Sequence, residues 1–222
     1  DLSGYADMAI GVAKMFNIEL PINFNSPYKS RNFAEYWRRW HMSLSRFLGD
    51  YVYKSFRGDK SISYVFYLHI FLTFIVSGIW HGAGWTFLVW GIVNGIFVIM
   101  SHAMHRNGIA LNFYLAWFLT FIGVIYTRVL FVANDFEDAW SVILAMSNIV
   151  EFSNTMLLHI AENMQQTIYI LIGLSLAFFT SNSLQIAKGF KLNIKYSLFT
   201  AVLISASFLT LSKSTEFLYF QF

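Results

Sequence analysis

Cysteine is absent from this sequence, which excludes disulfides, thiolate metal sites and a cysteine acyl-enzyme within the stretch. Proline is nearly absent as well: only 2 among 222 residues, so long helices can run unbroken. Charge is scarce. Asp, Glu, Lys and Arg together make up 12% of the chain, too few for the surface of a soluble domain of this size. No nucleophile elbow, P-loop or dinucleotide fingerprint is present. The net charge of +3 is too small to argue for nucleic acid as a partner.

Apolar and aromatic residues fill the space left by the missing charge. Hydrophobic residues reach 57% and the mean hydropathy is +0.53, so lipid must be the solvent for much of the chain. The 24 Phe, 12 Tyr and 7 Trp suit lipid-facing helices with interfacial belts. A spanning helix needs about 20 mostly apolar residues. Five segments meet or approach that length, at 62–80, 85–100, 112–132, 167–180 and 196–211. The fold expected is therefore all-α, a polytopic helical membrane protein with no internal repeat. The sparse charges are distributed unevenly. Eight of the 15 Lys and Arg fall within 29–60, whereas 129–187 contains none but holds Asp135, Glu137, Asp138, Glu151 and Glu162. By the positive-inside rule the basic stretch is expected to face the cytoplasm and the acidic loop after Arg128 the outside.

A different kind of helix precedes the spans. Phe33, Tyr36, Trp37, Trp40, Leu44, Phe47, Leu48, Tyr51 and Val52 form a stripe of helical period, and Arg38, Arg39, Ser45, Arg46 and Asp50 fall largely elsewhere. This predicts one amphipathic, interfacial helix over 32–56, with Asn32 as N-cap and Glu35 completing a capping box.

Two kinds of side chain could carry chemistry, histidine and arginine. His81 stands in the run Gly78-Ile-Trp-His-Gly-Ala-Gly84, between two apolar segments, where a turn at membrane depth must hide its polar backbone. An ionisable group there marks a functional site unless it only bonds a neighbouring helix. His41 borders the apolar stripe, which leaves open a cavity-facing role or simple packing beside Trp37. With no Cys and no activated Ser motif, a histidine acting as general base on an acceptor hydroxyl is the simplest chemistry available. Arg128, inside an apolar run, either snorkels to the surface or binds an anionic group in a polar cavity. His102 and His105 share a helix face but lack a third ligand, so no metal site is expected. His69 and His159 read as structural, and Gly91 with Gly95 as a helix-packing face.

Taken together, three stretches resemble the membrane-bound O-acyltransferase superfamily: Asn25-Ser-Pro-Tyr28, FAEYWRRWHMSLSRFLGDYVY at 33–53 and SGIWHGAGWTFLVWGIVNG at 77–95. Within that superfamily they are most similar to the alginate O-acetyltransferase membrane subunits, which the opening DLSGYADMAIGVAKMF and the closing FLYFQF also resemble. The resemblance implies that residues 1–222 are the C-terminal part of a single membrane domain: 1–31 a lead-in, 32–56 the amphipathic helix, 62–101 the hairpin bearing His81, and 112–222 the remaining segments. It further implies a missing N-terminal half, in keeping with a chain that opens on Asp1. His81, in the Trp-His-Gly motif, matches the superfamily's catalytic histidine. His41, in Arg-Trp-His-x-Ser-Leu-Ser, matches its second functional one. Trp80, Asp50 and Arg128 are then candidate linings of a substrate tunnel. Gly49 stands where relatives commonly carry Arg, and Thr127 where they carry an aromatic, which leaves the contacts of those side chains unassigned.

The activity implied is O-acetylation of an extracellular, alginate-like polysaccharide from an acyl thioester such as acetyl-CoA, which would be a co-substrate rather than a bound cofactor. A periplasmic or surface acyltransferase partner would deliver the group to the acceptor, and the location implied is the bacterial cytoplasmic (inner) membrane, with lipid around the chain. D-alanyl transfer to teichoic acid shares both histidine motifs. A non-catalytic transport or assembly protein is the alternative from another class.

Overall fold

A computed structural model of the protein describes residues 2–56, 58, 63–148, 156 and 160–210. Every regular element among them is helical. In chain order these are α1 (Leu2–Met15), α2 (Phe33–Arg39), α3 (Met42–Leu48), α4 (Ser63–His81), α5 (Trp85–Arg106), α6 (Phe113–Val132), α7 (Phe136–Ser147), α8 (Met164–Phe179), α9 (Ser183–Lys188) and α10 (Ile194–Thr210). The chain divides into two compact units. One is Asp1–Leu20 with Phe179–Phe222, which holds α1, α9 and α10; the other is Pro21–Phe178, which carries every histidine discussed below.

Three helices, α4, α5 and α6, are long and apolar enough to cross a membrane. At 1.5 Å rise per residue, 19 to 22 residues reach about 30 Å, the thickness of the hydrocarbon core. The fourth and fifth expected segments are the shorter apolar helices α8 and α10, of 16 and 17 residues. α8 begins at Met164, upstream of the expected start, while Leu211 and the closing 217–222 lie outside the described residues, as do Ile62, Glu151 and His159.

Helices α4 and α5 form a hairpin packed backbone to backbone. A Cβ on Gly78 would come within 2.5 Å of the Phe87 carbonyl oxygen, and one on Gly91 would press on the Phe74 carbonyl and lie 3.2 Å from Gly78 Cα. Small residues are what permit this approach where lipid offers no hydrophobic drive between helices. Against the hairpin lies α2, whose Phe33 and Tyr36 join Ile70, Val98 and Val124 in the buried core.

The single helix expected over 32–56 is broken into α2, α3 and a π-helical turn at Gly49–Tyr53. Trp40 is extended and His41 is left-handed, with φ 44°. The cause lies outside the stretch. The lead-in segment docks alongside the break, Asn25 N–H donating to the Arg39 carbonyl at 3.0 Å and Met42 N–H to the Asn23 carbonyl at 2.9 Å. Asn23 Oδ1 also accepts from Ser43 N–H and its hydroxyl, so a distant side chain caps α3. Ser45 Oγ donates towards the carbonyls of Trp37 and Trp40, which the interruption leaves without helical partners. Asn32 does cap α2, accepting from Glu35 N–H at 2.7 Å. Glu35, however, turns back to Arg31 N–H rather than to Asn32, and pairs with Arg39 at 2.7 Å.

The acidic loop after Arg128 contains α7. Its N-cap is Asp135, which accepts from Asp138 N–H at 2.9 Å. Glu137 and Asp138 sit in the first turn, where the helix dipole favours negative charge.

Candidate active site

His81 is the last residue of α4, followed by the turn that starts α5. Three aromatic rings meet its imidazole edge-on: Trp80 at 4.8 Å, Phe131 at 4.9 Å and Trp90 at 5.1 Å between centroids. The turn is tight because a Cβ on Gly82 would come 2.6 Å from the Phe87 ring. Trp90 is 1% exposed and Phe131 is buried, whereas Trp80 is 57% exposed. The imidazole therefore has a dry wall on the α5 and α6 sides and an open side past Trp80.

His41 enters from the break between α2 and α3. Its left-handed backbone is sparsely populated by residues other than Gly, Asn and Asp, and holding a side chain there costs about 1–2 kcal/mol. The lead-in hydrogen bonds supply that restraint, and Phe24 packs on the ring at 6.4 Å. Its Nδ1 is buried with no hydrogen-bond partner among the described residues. Burial pushes the His41 imidazole below its ordinary value, which favours the neutral, proton-accepting form.

Arg128 joins the two histidines. Its guanidinium lies 4.1 Å from the Trp40 ring centre and 5.5 Å from that of Phe131, the ring that also packs on His81. It donates to the Tyr36 hydroxyl at 3.1 Å. Tyr36 is 2% exposed and stacks on Trp40, and its burial, only partly opposed by the Arg128 charge, pushes the phenol up to about 12. It stays protonated. His41 and Arg128 are both within electrostatic reach of His81. A second path of rings runs from Trp37 to Trp90 at 5.5 Å and on to His81.

Two cavities lie near this cluster, the first of them adjoining it through Trp37. One, of about 240 Å³, is mostly apolar, with Trp37, Leu44, Leu48, Phe74 and Val98 among its walls. The other, of about 470 Å³, is edged by Arg31, Glu35, Arg38, Arg39, His102 and His105, with Glu35 paired to Arg31 and Arg39. The two share Ala34, Arg38 and His102.

The structure brings His81, His41, Arg128 and Trp80 into one neighbourhood. Asp50 is elsewhere, exposed in the π-helical turn and paired with Lys54 at 2.6 Å. His69, 3% exposed, packs between Tyr53 and Phe56, and its Nδ1 has no partner among the described residues. Tyr36, Trp90 and Phe131 carry the geometry, yet sequence reasoning gave them no role. Tyr36 was only one member of the apolar stripe, and nothing local distinguishes Trp90 or Phe131 from lipid-facing aromatics.

Residues 1–123 match the model of MBOAT, the membrane-bound O-acyltransferase family. The chain is 45% identical over 150 residues to "Peptidoglycan O-acetyltransferase" of Helicobacter pylori, and 40% identical over 148 residues to "Probable alginate O-acetylase AlgI" of Pseudomonas aeruginosa. Each match covers 66% of this chain but only 28% of the relative. "Teichoic acid D-alanyltransferase" of Streptococcus thermophilus is 34% identical over 122 residues, 50% of this chain and 29% of that protein.

Proposed function

Since the chain belongs to the membrane-bound O-acyltransferase family, we propose that it carries the histidine centre of an O-acetyltransferase that modifies an extracellular polysaccharide. The observation that carries this reading is the position of His81 at the end of a membrane-length helix, boxed by Trp90 and Phe131 on one side and open past Trp80 on the other. His81 takes the proton of an acceptor hydroxyl as that oxygen attacks the acyl carbonyl, and returns it to the leaving thiolate. The dry ring wall keeps water from competing for the acyl group. His41, half-buried and with its buried Nδ1 unpartnered among the described residues, orients one of the two substrates.

An acetyl thioester such as acetyl-CoA is the donor. The larger cavity, where Arg38 stands beside the Arg31–Glu35–Arg39 ion pairs, suits its phosphates, and the adjoining apolar cavity, walled by Trp37, suits its thioester arm. This end faces the cytoplasm of the inner membrane, and a periplasmic or surface partner passes the acetyl group to the polymer. Acetyl transfer is favoured over D-alanyl transfer because the acetylating relatives are 45% and 40% identical, against 34% for the D-alanyltransferase. The test is acetyl transfer from labelled acetyl-CoA by the full-length protein in proteoliposomes. His81→Gln keeps most of the volume and lowers turnover by about 10²- to 10⁴-fold without lowering expression or the unfolding midpoint. Wild-type turnover by that variant would show that His81 only packs.

A further inference from the structure

Arg128, within electrostatic reach of His81, and its partner Tyr36 carry N–H and O–H donors that find no acceptor among the described residues. Arg128 makes one side-chain hydrogen bond, to Tyr36, and no carboxylate among the described residues pairs with its guanidinium. The three ion pairs found there belong to Arg31, Arg39 and Lys54. Tyr36 uses its oxygen to accept from Arg128, so its own O–H proton is left to donate, and no acceptor for it is present among the described residues. A half-buried guanidinium with no counter-charge among the described residues is costly, and so is a buried hydroxyl proton with no acceptor there. Both costs are met by one ligand, an oxygen bearing negative charge. The rings of Trp40 and Phe131 occupy the flanks of the guanidinium, so it is held in place and only its N–H edges stay available. Phe131 is the common wall of Arg128 and His81, which puts that edge one ring away from the base.

We infer that Arg128 and Tyr36 together hold the acyl carbonyl oxygen as it becomes an oxyanion, an inference that rests on the acyl-transfer reading of His81. In the step concerned, the acceptor oxygen bonds to the carbonyl carbon of the thioester and its proton passes to the His81 imidazole. The carbonyl π pair moves onto oxygen, where Arg128 N–H and Tyr36 O–H receive it. Collapse restores the carbonyl, breaks the C–S bond and leaves the thiolate to take the proton back from His81. Donors fixed before the reaction need no reorganisation when the charge develops, which is why such pairs act on the rate more than on ground-state binding.

The experiment measures kcat and KM for labelled acetyl-CoA with full-length wild type, His81→Gln, Arg128→Gln, Arg128→Lys, Arg128→Ala and Tyr36→Phe in proteoliposomes. Arg128→Gln is expected to lower kcat by about 10²- to 10³-fold with KM little changed, and Tyr36→Phe to lower it by a smaller factor. Millimolar methylguanidinium should restore part of the rate of Arg128→Ala and none of that of His81→Gln, a rescue that a purely structural arginine would not show. If Arg128→Gln does not fold, Arg128→Lys and Tyr36→Phe decide, and wild-type kcat in both overturns the inference. A raised KM at unchanged kcat, or a lowered unfolding midpoint at unchanged kcat, also overturns it. A wild type no faster than His81→Gln refutes the acyl-transfer reading itself. An inactive His81→Gln beside fully active Arg128 and Tyr36 variants refutes only the oxyanion role.

Discussion

The guanidinium carbon of Arg128 lies 4.1 Å from the centre of the Trp40 ring, and Trp40 is the residue immediately before the left-handed His41. A cation on a membrane-length helix is thereby docked onto the break that aims His41. On the other side of that break, the lead-in segment holds the backbone through Asn23 and Asn25. The conformation of His41 is determined from two sides by parts of the chain remote in sequence.

His41→Asn tests this restraint through pH. Asparagine tolerates the left-handed region well, so the variant should fold. Burial puts the folded-state value of His41 below its ordinary 6.5. As pH falls through about 6.5 the unfolded chain binds this proton and the folded one does not, so wild type loses stability there until the folded value is reached. His41→Asn lacks that contribution. Its unfolding midpoint in detergent should drop less than that of wild type between pH 7.5 and 5.5, and parallel curves would refute the assignment.

Asn32→Ala removes the side-chain oxygen that receives Glu35 N–H at 2.7 Å. Loss of such a cap costs about 1 kcal/mol. Ser101 Oγ still accepts from Phe33 N–H at 3.2 Å, so α2 frays rather than melts. Folding yield should fall more than activity per folded molecule. An unchanged midpoint would mean the cap contributes nothing.

Gly91→Ala forces the α4–α5 hairpin apart, because the new Cβ presses on the Phe74 carbonyl and sits 3.2 Å from Gly78 Cα. Overpacking of this kind costs about 1–3 kcal/mol. Gly173→Ala on α8 is the matched control, since its Cβ meets nothing within 4 Å. The first variant should lower the midpoint and the second leave it unchanged or raise it, since alanine replaces glycine inside an exposed helix without a clash. Equal midpoints would show that the hairpin tolerates a wider spacing.

Sidedness is checked with single cysteines at Ser55 and Asn134, both exposed in the structure. The basic 29–60 stretch and the acidic residues after Arg128 place Ser55 on the cytoplasmic face and Asn134 outside. A membrane-impermeant maleimide should label Asn134→Cys in intact cells and Ser55→Cys only after permeabilisation. Ser61, the alternative inner site, lies outside the described residues. Labelling of both from the same side would refute the topology.

The spans were legible because length and apolarity act locally, and each of the five segments expected from them corresponds to a helix. The break at Trp40 and His41 was not. The residues of α2 and α3 keep a 3, 4, 7 and 11 spacing across it, and the irregular segment that interrupts the helix bonds from up to 20 residues upstream, where periodicity carries no trace of it. The stretch of α7 passes for an acidic loop by charge alone, although Asp135 followed by Glu137 and Asp138 is a helix-start pattern. The histidines stood out by their setting, whereas Tyr36 gains its role only from Arg128, 92 residues away.

That separation of 92 residues also imposes an order on biosynthesis. At about 5–20 residues per second, Tyr36 leaves the ribosome roughly 5–20 seconds before its partner. Until α6 has been inserted, a nascent chain already contains both histidines and the hairpin, yet Trp40 has no cation to rest on and the Tyr36 oxygen no donor from Arg128. The centre is completed by one of the later membrane helices of this stretch rather than built up gradually. Cross-linking between positions 36 and 128 in ribosome-stalled chains of increasing length should therefore begin abruptly, once α6 has cleared the insertion machinery.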